Sequence, residues 1–488
     1  MSKRKDEDEN GTETPPKRRK TAAETEEAVD GDAEGPEVAN ESELYLETVD
    51  RTRLDFDFEK VCSISLSNLN VYACLICGKY FQGRGKSSYA YYHSLDEDHH
   101  IYIHLASLKV YSIPEGYEVK STALNDIKYI ANPSYTTEHV SLLDTSSQMS
   151  YDLQRRPYHA GFIGLNNIQY NDYINVVVQA LAHTTPVRDF FVVKQCPSPP
   201  LLQRFGLLLR KLWNPQAFKP HVSPHELLQQ VVAQSGNKFR LTEQGDPLEF
   251  LTWLVDSLHV DLGGSRHKFH TSIIHQTFQG RVRVESQKIT VGSASASGRR
   301  LFDADSAIDI QVLPFIMLAL DLPPSPVFTD AVEKNFIPQV NLEELLRKYD
   351  GSAIQDFAGQ RKRYKLVSLP PLLIFHIKRF TKNNFRSEKN PTVVRFPTQH
   401  LDMRPFVDPA ILESMEEQGV LPFYNLCCNI THKAVETSVG EKHSFQIQIK
   451  DKSREEWFQI QDLNISTIQE HLIHLGESYI QIWERTPM

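Results

Sequence analysis

Cysteine is scarce in this chain, with six among 488 residues. So few thiols exclude a disulfide framework. The spacing of two of them, Cys74-x-x-Cys77, favours metal ligation in a reducing compartment. Long apolar runs are missing as well. No stretch approaches the ~20 residues a helix needs to cross a bilayer, and the first residues are too charged for a secretory signal. A soluble intracellular protein with no membrane partner is expected. Basic excess is also absent, since 53 Lys and Arg face 62 Asp and Glu for a net charge of −9. The first forty residues carry twelve acids against seven bases and so supply −5 of that total. The remainder is only mildly acidic, which argues against a nucleic-acid surface over the whole chain. Hydrophobic residues at 40% and aromatics at 10% are enough for sizeable cores. The length predicts two or three folded units.

Residues 1–40 are charged and poor in aromatics, a composition that cannot bury enough surface to fold. Within this expected disordered tail, Lys3-Arg4-Lys5 and Lys17-Arg18-Arg19-Lys20 flank an acidic spacer and read as a bipartite nuclear import signal. A nuclear location follows. From 41 to 145 the chain turns to alternating aromatic and apolar residues with short strand-like runs, Val71-Tyr72-Ala73 and Ile101-Tyr102-Ile103-His104. Cys74, Cys77, His93 and His99 offer two thiolates and two imidazoles, a set suited to one tetrahedral zinc ion. His100 is an alternative to His99, and Cys62 is a nearby spare. Fifteen residues separate Cys77 from His93, longer than the nucleic-acid type of finger allows. The intervening segment reads as a Gly-rich aromatic loop with no recognition helix.

A linker is expected near 145–157, followed by a large domain over 157–488. It opens on GFIGLNNIQYNDYINVVVQAL (161–181), a Gly/Asn turn leading into a buried helix. Asn171 and Asp172 stand where side chains satisfy the unpaired N–H groups of a helix end. Such a loop, cap and helix form a platform for a nucleophile. Helical segments at 201–213 and 224–233 follow, then Gln244-Gly245-Asp246-Pro247-Leu248-Glu249-Phe250. Strand-like runs close the chain, among them Leu372–Phe380, Tyr424–His432, Ser444–Ile449, Trp457–Asp462 and Tyr479–Trp483. Helices first and strands later predict an α+β domain. Gly292–Gly298 reads as a flexible insertion.

CSISLSNLNVYACLICGKYFQGRGKSSYAYYHS resembles the UBP-type zinc finger, and the ordered landmarks of 160–488 resemble the catalytic domain of ubiquitin-specific proteases. The resemblance implies a papain-like fold of fingers, palm and thumb behind a small zinc finger. It places 161–181 at the cysteine box, 244–251 at the glutamine-aspartate box and 424–462 at the histidine box. Asn167 matches the family's oxyanion-hole asparagine. The nucleophile position holds Asp172, the base position Ser444 and the orienting position Gln461. His443 lies one residue early, and along a strand that shift turns a side chain to the opposite face. Fingers of active relatives carry two further Cys-x-x-Cys pairs, whereas 265–310 here has no cysteine. One zinc in total is therefore expected. Arg84 is an available cation, and the family's pocket for the ubiquitin tail is left unassigned around it.

A carboxylate attacking an amide would form a strained anhydride, whereas an acid in a first helical turn is favoured by roughly 0.3–1 kcal/mol. Asp172 is thus expected as a helix-end residue and not a nucleophile. A UBP-type finger, a degenerate protease domain and a basic nuclear tail together resemble the splicing-factor branch of the family. That resemblance implies a pseudoenzyme scaffold supporting the spliceosomal tri-snRNP, with snRNA contact indirect and ubiquitin binding weak or absent. The alternatives are a ubiquitin-binding module and a residually active deubiquitinase. Direct RNA binding through Arg361-Lys362-Arg363 is a weaker option.

Overall fold

The computed structural model describes residues 45–146, 149–288, 308–324, 337–357, 359–382, 387–437 and 440–486. The two basic clusters of the tail and the Gly292–Gly298 interruption lie outside the described residues.

A four-stranded antiparallel sheet organises the first module. Its order is Tyr80–Gln82, Val71–Cys74, Ile101–His104, Val110–Ser112. Both inner strands are apolar on each face because helices and loops cover both sides of the small sheet. Gly78 follows the Cys74-x-x-Cys77 knuckle at φ +76°, and a Cβ there would meet the carbonyl oxygen of Arg53 at 2.2 Å, so only glycine closes this turn. The segment expected as a loop contains a helix, Tyr89–Asp96. Ser88 starts it by accepting a hydrogen bond from the N–H of Tyr91, which overrides the glycines upstream.

The larger module begins with helices Asp172–Ala182, Thr185–Val193, Pro200–Leu212, His225–Gln234 and Pro247–Asp261. Every residue of Asp172–Ala182 is buried. One flank packs on helix Pro247–Asp261 and the other on strand Gly440–Asp451, whose Phe445, Ile447 and Ile449 alternate into the same core. That strand belongs to the central sheet, ordered Leu318–Asp321, Leu372–Lys378, Ser478–Arg485, Phe423–Thr437, Gly440–Asp451, Glu456–Gln461, Asn464–Ile468. Only the first pair is parallel. A separate antiparallel sheet of Asp309–Phe315, Gly280–Lys288, Gln360–Ser368 and Gln355–Phe357 builds on a second core around Val282 and Val284. Mixed α+β architecture follows the order in which the sequence lays down helices and strands.

The expected linker is instead tied down. Ser150–Tyr151 pairs with Pro157–Tyr158, and the Asp152 carboxylate accepts from the N–H groups of Gln154 and Arg156 at 2.8 and 2.7 Å. A buried aspartate closing its own turn fixes a segment that composition alone marks as loose. Gly161 then enters the platform at φ +89°, where a Cβ would lie 2.7 Å from the Trp213 ring.

The first module is stapled to the second by charge. Lys211 donates to Asp57 Oδ1 at 2.9 Å and to the Phe56 carbonyl at 2.8 Å, and Lys219 reaches Asp57 Oδ2 at 2.8 Å. Ser223 donates its N–H to the same carboxylate at 3.1 Å. Burial pushes the Asp57 carboxyl up, but Lys211 and Lys219 outweigh it and hold its pKa at about 2.

Candidate functional site

Two sites need separate descriptions. The first is the cluster of Cys74, Cys77, His93 and His99, whose ligand atoms all lie within 4.8 Å of one another. Strand Val71–Cys74 and the knuckle supply the two thiols, helix Tyr89–Asp96 supplies His93, and the loop before Ile101 supplies His99. Cys74 Sγ lies 3.6 Å from His99 Nδ1, Cys77 Sγ lies 3.4 Å from His93 Nε2, and the two imidazole nitrogens are 3.1 Å apart. Zn–S bonds of about 2.3 Å and Zn–N bonds of about 2.0–2.1 Å at tetrahedral angles would separate S from N by ~3.6 Å and N from N by ~3.3 Å. The donor set therefore fits a zinc ion. Phe81 stacks on His93 at 4.2 Å and steadies that ring.

His100 is turned elsewhere. It faces Asp98 at 2.9 Å and Glu115 at 3.4 Å, with Tyr45 stacked on it at 4.0 Å. Cys62 is buried outside the cluster, its Sγ accepting from the N–H groups of Ile64 and Ser65 at 3.5 and 3.4 Å. The Arg84 guanidinium lies 4.3 Å over the Tyr111 ring.

The second site is the platform at the start of helix Asp172–Ala182. The capping expected of Asn171 is not made, because its Oδ1 accepts from the N–H of Ile168 in the preceding loop. Its amide donates to Asn175 Oδ1 at 3.0 Å and to the Asn166 carbonyl at 3.1 Å. Nor is Asp172 merely a helix-end acid. Gln244 Nε2 donates to both its carboxylate oxygens, at 3.1 and 2.9 Å, and the N–H of Phe445 donates to Oδ2 at 3.0 Å. Two residues on from Gln244, Asp246 caps helix Pro247–Asp261 and accepts from the Tyr479 hydroxyl at 2.8 Å. Asp172 is 5% exposed, and burial raises its carboxyl above the usual range. The Phe445 N–H opposes that rise, and the Asp462 charge adds to it.

The remaining polar groups gather on Asp462. Asn167 Nδ2 donates to its Oδ2 at 2.9 Å, and Asn175 Nδ2 donates to its Oδ1 at 2.8 Å. The Ser444 hydroxyl donates to the Lys433 carbonyl across the strand pair at 3.4 Å. Among the described residues, no hydrogen bond joins Ser444 or Gln461 to Asp172. His443 is exposed and packs 5.2 Å from the buried His432 ring. Cys427 and Cys428 are buried beneath the platform helix, with Cys427 Sγ donating to the His183 carbonyl at 3.3 Å.

Residues 163–483 match the family described as Ubiquitin carboxyl-terminal hydrolase, about two-thirds of the chain. The chain belongs to that family. Residues 62–124 also match the zinc finger found in ubiquitin-hydrolases and other proteins, a domain that implies zinc binding. "Probable mRNA-splicing protein ubp10" of Schizosaccharomyces pombe is 50% identical over 446 residues, covering 91% of this chain and 88% of its own. "Pre-mRNA-splicing factor SAD1" of Saccharomyces cerevisiae is 31% identical, covering 90% and 93%. A crystal structure described as that of an essential yeast splicing factor superposes with a TM-score of 0.73 at 32% identity, over 91% of this chain and 100% of the other. Within this hydrolase fold, Asp172, Gln244 and Phe445 form one hydrogen-bonded group, and Asn167, Asn175 and Asp462 form a second beside it. Sequence reasoning marked Gln244 and Asp462 as landmarks of their segments without assigning them contacts. Their places in the glutamine-aspartate and histidine boxes were the available signal.

Proposed function

We propose that this chain is a non-catalytic member of its family that acts in the nucleus as a scaffold in pre-mRNA splicing, supporting assembly or stability of the tri-snRNP. The observation that carries the reading is the state of Asp172. At the position that the family resemblance gives to the nucleophile stands a buried carboxylate whose two oxygens are already occupied by Gln244 and the Phe445 N–H. It is held as an acceptor, which is a structural use of the position. A carboxylate is also a poor nucleophile toward an isopeptide amide. Ser444 and Gln461 provide neither an imidazole nor a carboxylate to activate or orient one. The catalytic Cys and His are, on this reading, replaced and not displaced. The names of the two relatives, one at 50% and one at 31% identity, support splicing as the process.

In the same reading, residues 1–40 form a nuclear-import tail, 41–145 the finger and 157–488 the protease-like domain. Cys74, Cys77, His93 and His99 hold one zinc ion, which supplies folding energy and no chemistry. Contacts are with tri-snRNP proteins, and ubiquitin is bound weakly or not at all. The test is affinity purification of the tagged full chain from nuclear extract, with associated RNAs and proteins identified. Spliceosomal snRNAs and tri-snRNP proteins are expected to co-purify, and their absence overturns the assignment.

A further inference from the structure

Between the finger and the helical part of the larger module lies a cleft of about 680 Å³. It is within the roughly 300–1,000 Å³ that holds a drug-sized ligand, or a few residues of a peptide. Three cations line it, Lys60, Arg204 and Arg210, together with His104, and no Asp or Glu is among its lining residues. One carboxylate behind the wall serves two of the cations: Glu226 lies 2.6 Å from Arg204 and 3.6 Å from Lys60. Arg210 is 4% exposed and, among the described residues, has no carboxylate partner. Its Nη1 donates to the Phe191 carbonyl at 3.1 Å, and its Nε is buried without a hydrogen-bond partner.

Three cations against one carboxylate leave an excess of two positive charges in a recessed space. At Arg210, which is shielded from water, such an excess is costly unless an anion completes it. Burial lowers the pKa of both Lys60 and Arg210, the mark of cations short of counter-charge. Amide side chains, including Asn132 and Gln203, add donors around the same space. One apolar side chain on the lining is open to solvent: Leu69 lines the cleft at 67% exposure, and Ile64 and Leu66 of the same loop are exposed as well. Three exposed large apolar residues within six positions exceed the scatter expected of an ordinary surface.

We propose that this cleft docks an extended acidic segment of a partner protein, with an Asp or Glu side chain reaching Arg210 and an adjacent apolar side chain resting on Leu69. A protein segment suits the site better than a nucleic acid, because the cation lacking a carboxylate partner among the described residues, Arg210, is recessed at 4% exposure and shares the cleft with an exposed apolar side chain, Leu69. Phosphate backbones are tracked by cations displayed along a surface. The proposal rests on the cleft alone, so it stands or falls separately from the splicing assignment.

The experiment is selection of displayed random decapeptides against the full-length protein, with the enriched sequences then measured by fluorescence anisotropy. Enriched peptides are expected to pair Asp or Glu with a neighbouring apolar residue and to lose affinity when the acid is made amide. Gln203→Glu puts a carboxylate in the cleft from an exposed helical position, and it should weaken binding at least about tenfold while leaving the thermal melt unchanged. Arg210→Met should abolish binding, with the melt recording any loss of fold. Failure to enrich any peptide, enrichment of peptides without acids, or affinity unmoved by Gln203→Glu each overturns the proposal. So does a phosphoserine peptide or an RNA oligonucleotide that binds the cleft where acidic peptides do not.

Discussion

Gln244 and Asp172, 72 residues apart in sequence, meet as one amide nitrogen donating to both oxygens of one carboxylate. The pairing turns the front of a hydrolase platform into a closed hydrogen-bonded unit, and it can be tested from several sides.

Chemical reactivity is the most direct. The wild-type protein is expected to give no adduct with a ubiquitin C-terminal electrophile probe, as read by gel shift. Asp172→Cys alone should remain inert, because Ser444 offers no imidazole to ionise the thiol. Adding Ser444→His and Gln461→Asp should bring measurable labelling. A wild-type adduct that maps to any cysteine would contradict the proposed loss of activity.

Stability should respond to Asp172 with a characteristic pH dependence. Asp172→Ala leaves the Gln244 amide and the Phe445 N–H without their acceptor, at a cost of about 1–3 kcal/mol. Because burial raises the Asp172 pKa in the fold, the ionised form costs stability near neutrality, and that cost disappears as pH falls toward the ordinary carboxyl range. Wild type should therefore gain stability relative to Asp172→Asn between pH 7 and about pH 4. Urea titrations of both proteins across that range check the sign.

Asp57 should behave in the opposite way. Its pKa is held at about 2 against an ordinary value of 3.8, so its contribution is fully present above pH 3.8 and is lost as pH falls toward 2. The difference corresponds to about 2 kcal/mol at neutral pH. Asp57→Asn should lower the unfolding free energy at pH 7 by about that amount, and the gap from wild type should narrow in acid. An equal gap at pH 7 and at pH 2.5 would refute the linkage.

Metal content distinguishes the histidines. The purified chain should carry one zinc ion, measured by inductively coupled plasma mass spectrometry. Cys74→Ser or His99→Asn should lose it, with loss of the finger's fold in near-ultraviolet circular dichroism. His100→Asn should keep it, since His100 faces Asp98 and Glu115.

Features resting on local chemistry were legible in the sequence. Cys74, Cys77, His93 and His99 announce themselves by residue type and knuckle spacing, and the 172–182 helix by its apolar content. Contacts between distant segments were not. Nothing near Asp172 says that its acceptors are filled from positions 244 and 445, and Asn171 looks like a cap until the loop N–H of Ile168 takes its oxygen. Asp152 likewise sits in a stretch that composition marks as a linker, and only its hydrogen bonds show a closed turn. The cationic cleft was equally hidden, because Lys60 is brought beside Arg204 and Arg210 only by the fold.

The staple at Asp57 limits how this protein can be dissected. One half of the chain owns the buried acid, and the other owns the two lysines that neutralise it, 154 and 162 positions further on. A finger cut free near residue 145 would carry a carboxylate with no counter-ion, and the complementary piece would carry two ammonium groups without their carboxylates. A fragment that fails to bind a partner could then be reporting damage at its cut face. Point substitutions in the intact chain are the sounder way to apportion its surfaces.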